Sequence, residues 1–321
     1  FRYIVLSTLV SRFIYPSYIL SEDRKTLLKE LTNGLYKDLV KVIVLDDSDV
    51  LELFIDDMLQ DLFYESDLQV SALTNIDKLY MLLCIRSYCI GPQIIFSTKV
   101  PRENSKGETE EVKVDIPLNL NEVMNRLGNY PIKHVYSFTE AGLIVNGTLP
   151  KKFYYTDIVD VAADSLSSIQ AAGEQTDVYQ LSLSERTEIL KSLPSSILPN
   201  IIDFLRGQED VIKEDPLIKF NSSMDLPFGN QLDLQLYNGT VGEIIKMLFN
   251  TNLKELYSNE YTLMRRFKFT FNAIEECTPQ ELNVYYEIIH NDLEREKKEQ
   301  EEQQKGSGGD FMAPPKNLPP G

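Results

Sequence analysis

Thr74-Asn75-Ile76-Asp77-Lys78-Leu79-Tyr80-Met81-Leu82-Leu83-Cys84-Ile85, closed a few residues later by Gly91-Pro92, is the stretch that decides the fold. Thr74 and Asp77 stand at capping-box spacing, where each side chain satisfies a backbone N–H that the first helical turn leaves without a partner. Such a cap contributes about 1 kcal/mol. From Leu79 to Ile85 the sequence is apolar almost all round. A helix of that kind belongs at the centre of a domain, not on its surface. Gly91-Pro92 then stops it.

Working toward the N-terminus, Ser48–Tyr64 reads as a second helix, with Leu51, Phe54, Ile55, Met58, Leu59 and Leu62 on its apolar side. Ahead of it, Leu27, Leu28, Leu31, Leu35, Leu39 and Val42 recur at helical spacing. Ser21 suits the N-cap of that helix, and Asn33-Gly34 interrupts or bends it. Tyr3-Ile4-Val5-Leu6 reads as an opening strand, and the short apolar run Phe1–Val10 fits a strand better than a signal peptide. The first residue is Phe1 and not Met, as in a processed chain or a fragment.

Working toward the C-terminus, Ile94–Val100 and Val112–Ile116 read as a hairpin with a polar, exposed tip at Pro101–Glu111. A short helix fits Leu120–Leu127. Strands fit Ile132–Phe138 and Leu143–Val145, with Asn146-Gly147 marking a turn. Helices are expected at Thr156–Gln170, Ser182–Leu193 and Ile197–Leu205, with Ser182 and Glu185 as a second capping box. A second strand pair fits Leu217–Phe220 and Leu232–Tyr237, joined through Leu226-Pro227-Phe228-Gly229-Asn230. A helix through Ile244–Phe249 and another at Tyr261–Ile274 follow. The last helix opens on Thr278, Pro279 and Glu281 and carries Leu282, Tyr285, Tyr286, Ile289 and Leu293 as its stripe. Past Leu293 the stripe ends, so the helix projects into solvent, and Gly306–Gly321 reads as a flexible tail.

The expected fold is therefore α+β and predominantly helical, a helical body with two small β-hairpin regions and a projecting C-terminal helix. Residues 1–150 form an N-terminal helical domain with a hairpin insertion. Residues 151–293 form a C-terminal helical domain with the second strand pair, and residues 294–321 form the charged helix end and tail.

The composition narrows function. Of 321 residues, 43% are hydrophobic, enough for a real core. A net charge of -17 repels a phosphate backbone, which argues against nucleic-acid binding. No apolar run is long enough to span a membrane. Cys84, Cys89 and Cys277 lack the paired spacing of secreted disulfide scaffolds, so the expected compartment is intracellular and reducing.

Residue patterns that carry chemistry are scarce. His134 and His290 each read as structural. Nucleophile elbow, zincin and phosphate-loop patterns are missing. Asp46, Asp47, Asp49, Asp56, Asp57 and Asp61 lack the ligand order of an EF-hand and read as the solvated side of a helix. Cys84 and Cys89 read as core. Arg265, Arg266 and Lys268 form the densest basic patch, read as charge balance or as a docking point for an acidic partner. No catalytic, cofactor-binding or metal residue is expected.

Three stretches resemble a known family, the baseplate-hub assembly proteins of T-even-like contractile-tailed phages. One is Asp77–Gly91, a helix ending in Arg86, Ser87 and Gly91 before a hairpin. Another is the pair of hairpin regions near residues 94–116 and 217–237. The third is Gly242–Arg295, with Tyr261-Thr262-Leu263-Met264-Arg265-Arg266 before the final helix. The resemblance implies a structural or assembly role in the baseplate hub, as virion component or assembly chaperone. It also implies action by protein–protein binding to other tail and hub proteins, the tape-measure protein among the candidates. The implied location is the host cytoplasm during assembly and the virion tail. Some members carry paired cysteines in a hairpin that would hold zinc. Pro101–Glu111 has none, so no cofactor is implied. The residues alone leave two other classes open, a cellular helical adaptor and a divalent-cation-dependent enzyme on the Asp-rich helix.

Overall fold

The computed structural model describes residues 13–64, 67–103, 108–213, 224–225, 231–232 and 241–306. It opens with an antiparallel pair, β1 (Ile14–Ile19) and β2 (Arg24–Lys29), in the register Ile14↔Lys29 to Ile19↔Arg24. This corrects the helix expected from Ser21. Leu27, Leu28 and Leu31 mimic helical spacing, but Thr26 and Leu28 alternate inward from a strand. Ser21 caps no α-helix. Its N–H and hydroxyl donate to the Asp77 carboxylate at 2.9 and 2.6 Å, fixing the hairpin to the central helix. Helix α1 (Asn33–Leu45) begins at the residues expected to interrupt it, with Thr32 as N-cap. The expected strand at Tyr3–Leu6 lies outside the described residues.

Helices α2 (Ser48–Leu62) and α3 (Asn75–Cys89) follow as expected. The Thr74–Asp77 capping box is formed, and Leu79, Met81, Leu82, Leu83, Cys84 and Ile85 are all buried. Next come β3 (Gln93–Glu103) and β4 (Thr109–Asn119), paired from Gln93↔Asn119 to Glu103↔Thr109. The strands run further than expected, taking in most of the presumed tip; residues 104–107 lie outside the described residues. Helix α4 (Leu120–Leu127) starts on an Asn119 cap.

The largest sheet takes in the strands expected at Ile132–Phe138 and Leu143–Val145 and adds two more. Strands β5 (Val135–Glu140) and β6 (Leu143–Thr148) lead through α5 (Ile158–Ser165) to β7 (Leu166–Ala171) and β8 (Glu174–Asp177). Together they form a four-stranded antiparallel meander in sequence order. The helix expected over Thr156–Gln170 therefore stops halfway. Both tight turns use an Ala-Gly pair at positive φ, Ala141 (52°) with Gly142 (81°), and Ala172 (50°) with Gly173 (88°). That backbone matches the right-handed twist of a hairpin. Asn146-Gly147 is not a turn. Gly147 lies inside β6 where the register with β7 shifts, and a Cβ there would collide with the Tyr136 ring and the Ser165 carbonyl.

Helices α6 (Leu183–Ser192), capped by the Ser182–Glu185 box, and α7 (Ile197–Lys213) complete this part. The second strand pair is β9 (Met224–Asp225) with β10 (Gln231–Leu232). The expected strand at 217–220, the loop at 226–230 and positions 233–237 lie outside the described residues. Helix α8 (Val241–Leu248) precedes α9 (Leu253–Phe267), α10 (Phe271–Glu276) and α11 (Pro279–Gly306). The single helix expected at Tyr261–Ile274 is two helices. Lys268 takes a left-handed conformation (φ 59°) and Thr270 caps α10. The fold is α+β with more helix than strand, and among the described residues the strands form four sheets where two hairpin regions were expected.

Buried side chains from Tyr15 to Phe249 form one hydrophobic cluster around α3. A second and much smaller one joins Leu263, Ile274, Leu282 and Ile289 of α9–α11. Helix α9 spans both, since Leu253 and Leu256 pack on the large cluster and Leu263 lies in the small one.

Candidate interaction surface

The basic patch is built by α9. Asn252 caps its start, accepting from the N–H groups of Lys254 and Glu255. Leu263 faces inward, which turns Arg265 and Arg266 outward on the last turn, with Lys268 exposed just beyond. Cations at a helix C-terminus gain about 0.3–1 kcal/mol from the helix dipole. No ion pair among the described residues occupies these three side chains. The Arg265 guanidinium lies 6.0 Å from the centre of the Tyr261 ring, at cation–π range.

The same helix and the next two expose several large apolar side chains. Tyr257, Tyr261 (57% exposed), Phe267 and Phe271 are open on α9 and α10, as are Val284, Tyr285 and Ile288 on α11. The Phe269 and Tyr285 rings meet edge to face at 5.0 Å. A charge run in the sequence marks the cations but not the aromatics beside them. The available signal was the spacing of Tyr257, Tyr261 and Arg265 four residues apart, which puts them on one helix face.

A buried ionic cluster fastens these helices to α1. The Lys37 ammonium lies 2.9 Å from Glu260, which is 2% exposed, and also pairs with Glu275. Asn33 donates its side-chain amide to Glu260 at 2.6 Å and its main-chain N–H to the Cys277 carbonyl at 2.7 Å. A Cβ on Gly34 would press on the Glu275 carboxylate, which would have to move away. Burial alone would lower the Lys37 pKa, but hydrogen bonds to Glu275 and Glu260 outweigh it and hold the pKa above the ordinary lysine value. The ammonium also faces the Tyr257 and Phe271 rings at 5.4 and 4.9 Å. Sequence reading missed this cluster, because its partners lie more than 200 residues apart.

The other candidates resolve into structural roles. Cys84 and Cys89 are buried, and burial pushes both thiols up to about 11. The Asp-rich segment is only partly a solvated face. Asp57 and Asp61 are exposed, Asp47 caps α2, Asp56 pairs with buried Lys78 at 2.6 Å, and Asp46 pairs with Lys246 at 2.6 Å. His134 is half-buried, and burial lowers its pKa; His290 is exposed beside Glu294. Among the described residues no group of three or more His, Cys, Asp and Glu side chains is placed to hold a metal ion. No described helix is long and apolar enough to cross a membrane.

A family model described as T4 bacteriophage base plate protein matches residues 14–214. The chain belongs to that family. No curated protein and no solved structure matches it. Baseplate membership agrees with a non-enzymatic role. The matched span of this baseplate protein runs from β1 past the end of α7. It takes in the Asp77–Gly91 helix and the hairpin near 94–116. The region 217–237, Gly242–Arg295 and the whole basic and aromatic face lie beyond it.

Proposed function

We propose that this protein is a structural or assembly component of the baseplate hub and works by binding other phage tail proteins through α9–α11. The basic face of Arg265, Arg266 and Lys268, with Tyr261 beside it, meets an acidic surface on a hub or tape-measure protein. Binding takes place in the host cytoplasm during assembly, and a permanent component would stay in the virion tail. The observation that carries this reading is that α9–α11, which carry these three cations in a strongly acidic chain, also leave large aromatic side chains exposed. Aromatic and Arg side chains supply most interface hot spots. Opposite charge on the partner speeds encounter and fixes orientation.

Tagged protein recovered from infected cells, in wild-type form and as Arg265→Glu/Arg266→Glu/Lys268→Glu, tests this. The wild type is expected to bring down hub or tape-measure proteins, and the charge reversal to lose them with its melting temperature unchanged. Recovery of unrelated enzymes alone would sink the reading. Proteomics of purified particles separates the two modes. Presence marks a component, and absence combined with tail defects on deletion marks a chaperone.

A further inference from the structure

The tight turn between α1 and α2 forms a knuckle whose apolar residues the core does not take up. Leu51, Ile55, Met58 and Leu59 turn one side of α2 to the large cluster. Val44 (63% exposed) and Leu45 (67%) end α1, and Val50 and Leu53 (68%) lie in the first two turns of α2. Single apolar side chains scattered over a surface need no explanation, but several gathered at one end of a helix pair mark an interaction surface. Asp49, Leu53 and Asp57 stand four residues apart, so a carboxylate lies on each side of Leu53 along one exposed helix face. Asp46 and Asp56 are taken by Lys246 and Lys78, whereas Asp49 and Asp57 pair with no cation among the described residues.

The end of α9 carries the complementary chemistry. Tyr257, Tyr261 and Arg265 share one face at the same four-residue spacing, and Arg266 and Lys268 stand exposed just beyond. The two surfaces do not meet within one chain. Helices α9–α11 attach to α1 through Asn33 and Lys37, in its first two turns, whereas the knuckle lies at its other end. A molecule that presents two separate, complementary surfaces is built for a head-to-tail contact between copies. Net charge sets the orientation. At -17, two copies repel each other unless the densest basic run of one meets carboxylates of the other.

We infer that the protein associates with itself head to tail, the acidic and apolar α1–α2 knuckle of one copy docking on the basic and aromatic end of α9 of the next. This rests on the proposed reading of the basic face as a binding surface and names the acidic surface that it meets. Contacts of this kind close into a ring or extend as a filament.

Sedimentation velocity of the purified full chain over a concentration series tests it. The wild type is expected to form species larger than a monomer as concentration rises. Asp49→Lys/Asp57→Lys and Arg265→Glu/Arg266→Glu/Lys268→Glu should each weaken self-association at least about tenfold, because like charges then face each other. Mixing the two variants restores opposite charges at every contact and should restore the large species. Leu53→Ser, which leaves the charge unchanged, should weaken association with no change in melting temperature. A wild type that stays monomeric would overturn the proposal, as would association that survives either reversal or a mixture that fails to recover. A monomer that needs Asp49 and Asp57 to bring down tail proteins from infected cells would assign the knuckle to a different chain and equally overturn it. The sedimentation contains no other phage protein, so its failure leaves the pull-down reading standing, and a pull-down without tail proteins leaves a successful charge swap standing.

Discussion

The body from β1 to α7 and the helices α9–α11 bury their apolar residues to very different degrees. In the body, a single cluster gathers side chains from every helix and sheet around α3. In α9–α11, four buried residues form the cluster, while seven large apolar side chains between positions 257 and 288 stay open. The body can be stabilised by its own core. The C-terminal helices depend on the Lys37 cluster and on α9 reaching into the larger core, and they retain apolar surface that a partner could cover. The family match follows the same line, covering the body and stopping before α8.

The largest expected effect lies at the centre of the body. Leu83 is 2% exposed on the buried helix α3. Leu83→Asp would place an unpaired carboxylate there, at a cost that rivals the whole 5–15 kcal/mol of a typical domain. No soluble, cooperatively melting protein is expected, as read by circular dichroism. A variant that melts cooperatively would break the view of α3 as the organising element.

That element was also the most legible part of the sequence. Its signals are local: a capping box, a run with no polar face, and a Gly-Pro stop. The same is true of α2, α6 and the start of α11, where Thr278 and Glu281 form their reciprocal bonds at 3.2 and 2.7 Å. Legibility failed where tertiary pairing overrode local pattern. Leu27 and Leu28 keep helical spacing but lie in a strand that pairs with β1. Leu166 and Ile169 extend the periodicity of α5 but belong to the meander. Arg265, Arg266 and Lys268 could be found as a charge run. The Lys37–Glu260–Glu275 cluster could not, since it depends on which distant residues share a space.

The next largest effect probes the joint between the two regions. Lys37→Met removes the cation that Glu260 and Glu275 share. Breaking a buried pair from one side costs about 3–5 kcal/mol, because it leaves a buried charge uncompensated. The loss is expected chiefly in α9–α11, so amide hydrogen exchange should speed up there while α3 stays protected. Adding Glu260→Gln should recover part of the stability. The pH dependence has a definite sign. Because the folded pKa of Lys37 is raised, its contribution is fully present below the ordinary lysine value of 10.5 and is lost as pH rises through the folded pKa. Wild type and Lys37→Met should therefore differ by a constant amount at neutral pH and converge only in strong alkali. Equal loss of protection in α3 would show that the two regions unfold as one.

The smallest effect is expected at the far end of α11. Leu293 is the last residue of that helix packed against the small cluster, and the side chains from Glu294 to Glu302 are exposed. Their ion pairs, such as Arg295 with Asp292 at 3.2 Å, lie between exposed groups within one helix, where each contributes only about 0.3–0.5 kcal/mol. The solvent-facing end of a helix also frays at little cost. Ending the chain after Leu293 should therefore leave the melting temperature nearly unchanged. A large drop would mean that the distal turns pack along the body, and the contrast between a buried body and a helix held out from it would no longer stand. An unchanged melting temperature with reduced recovery of hub proteins would assign those turns to partner contact.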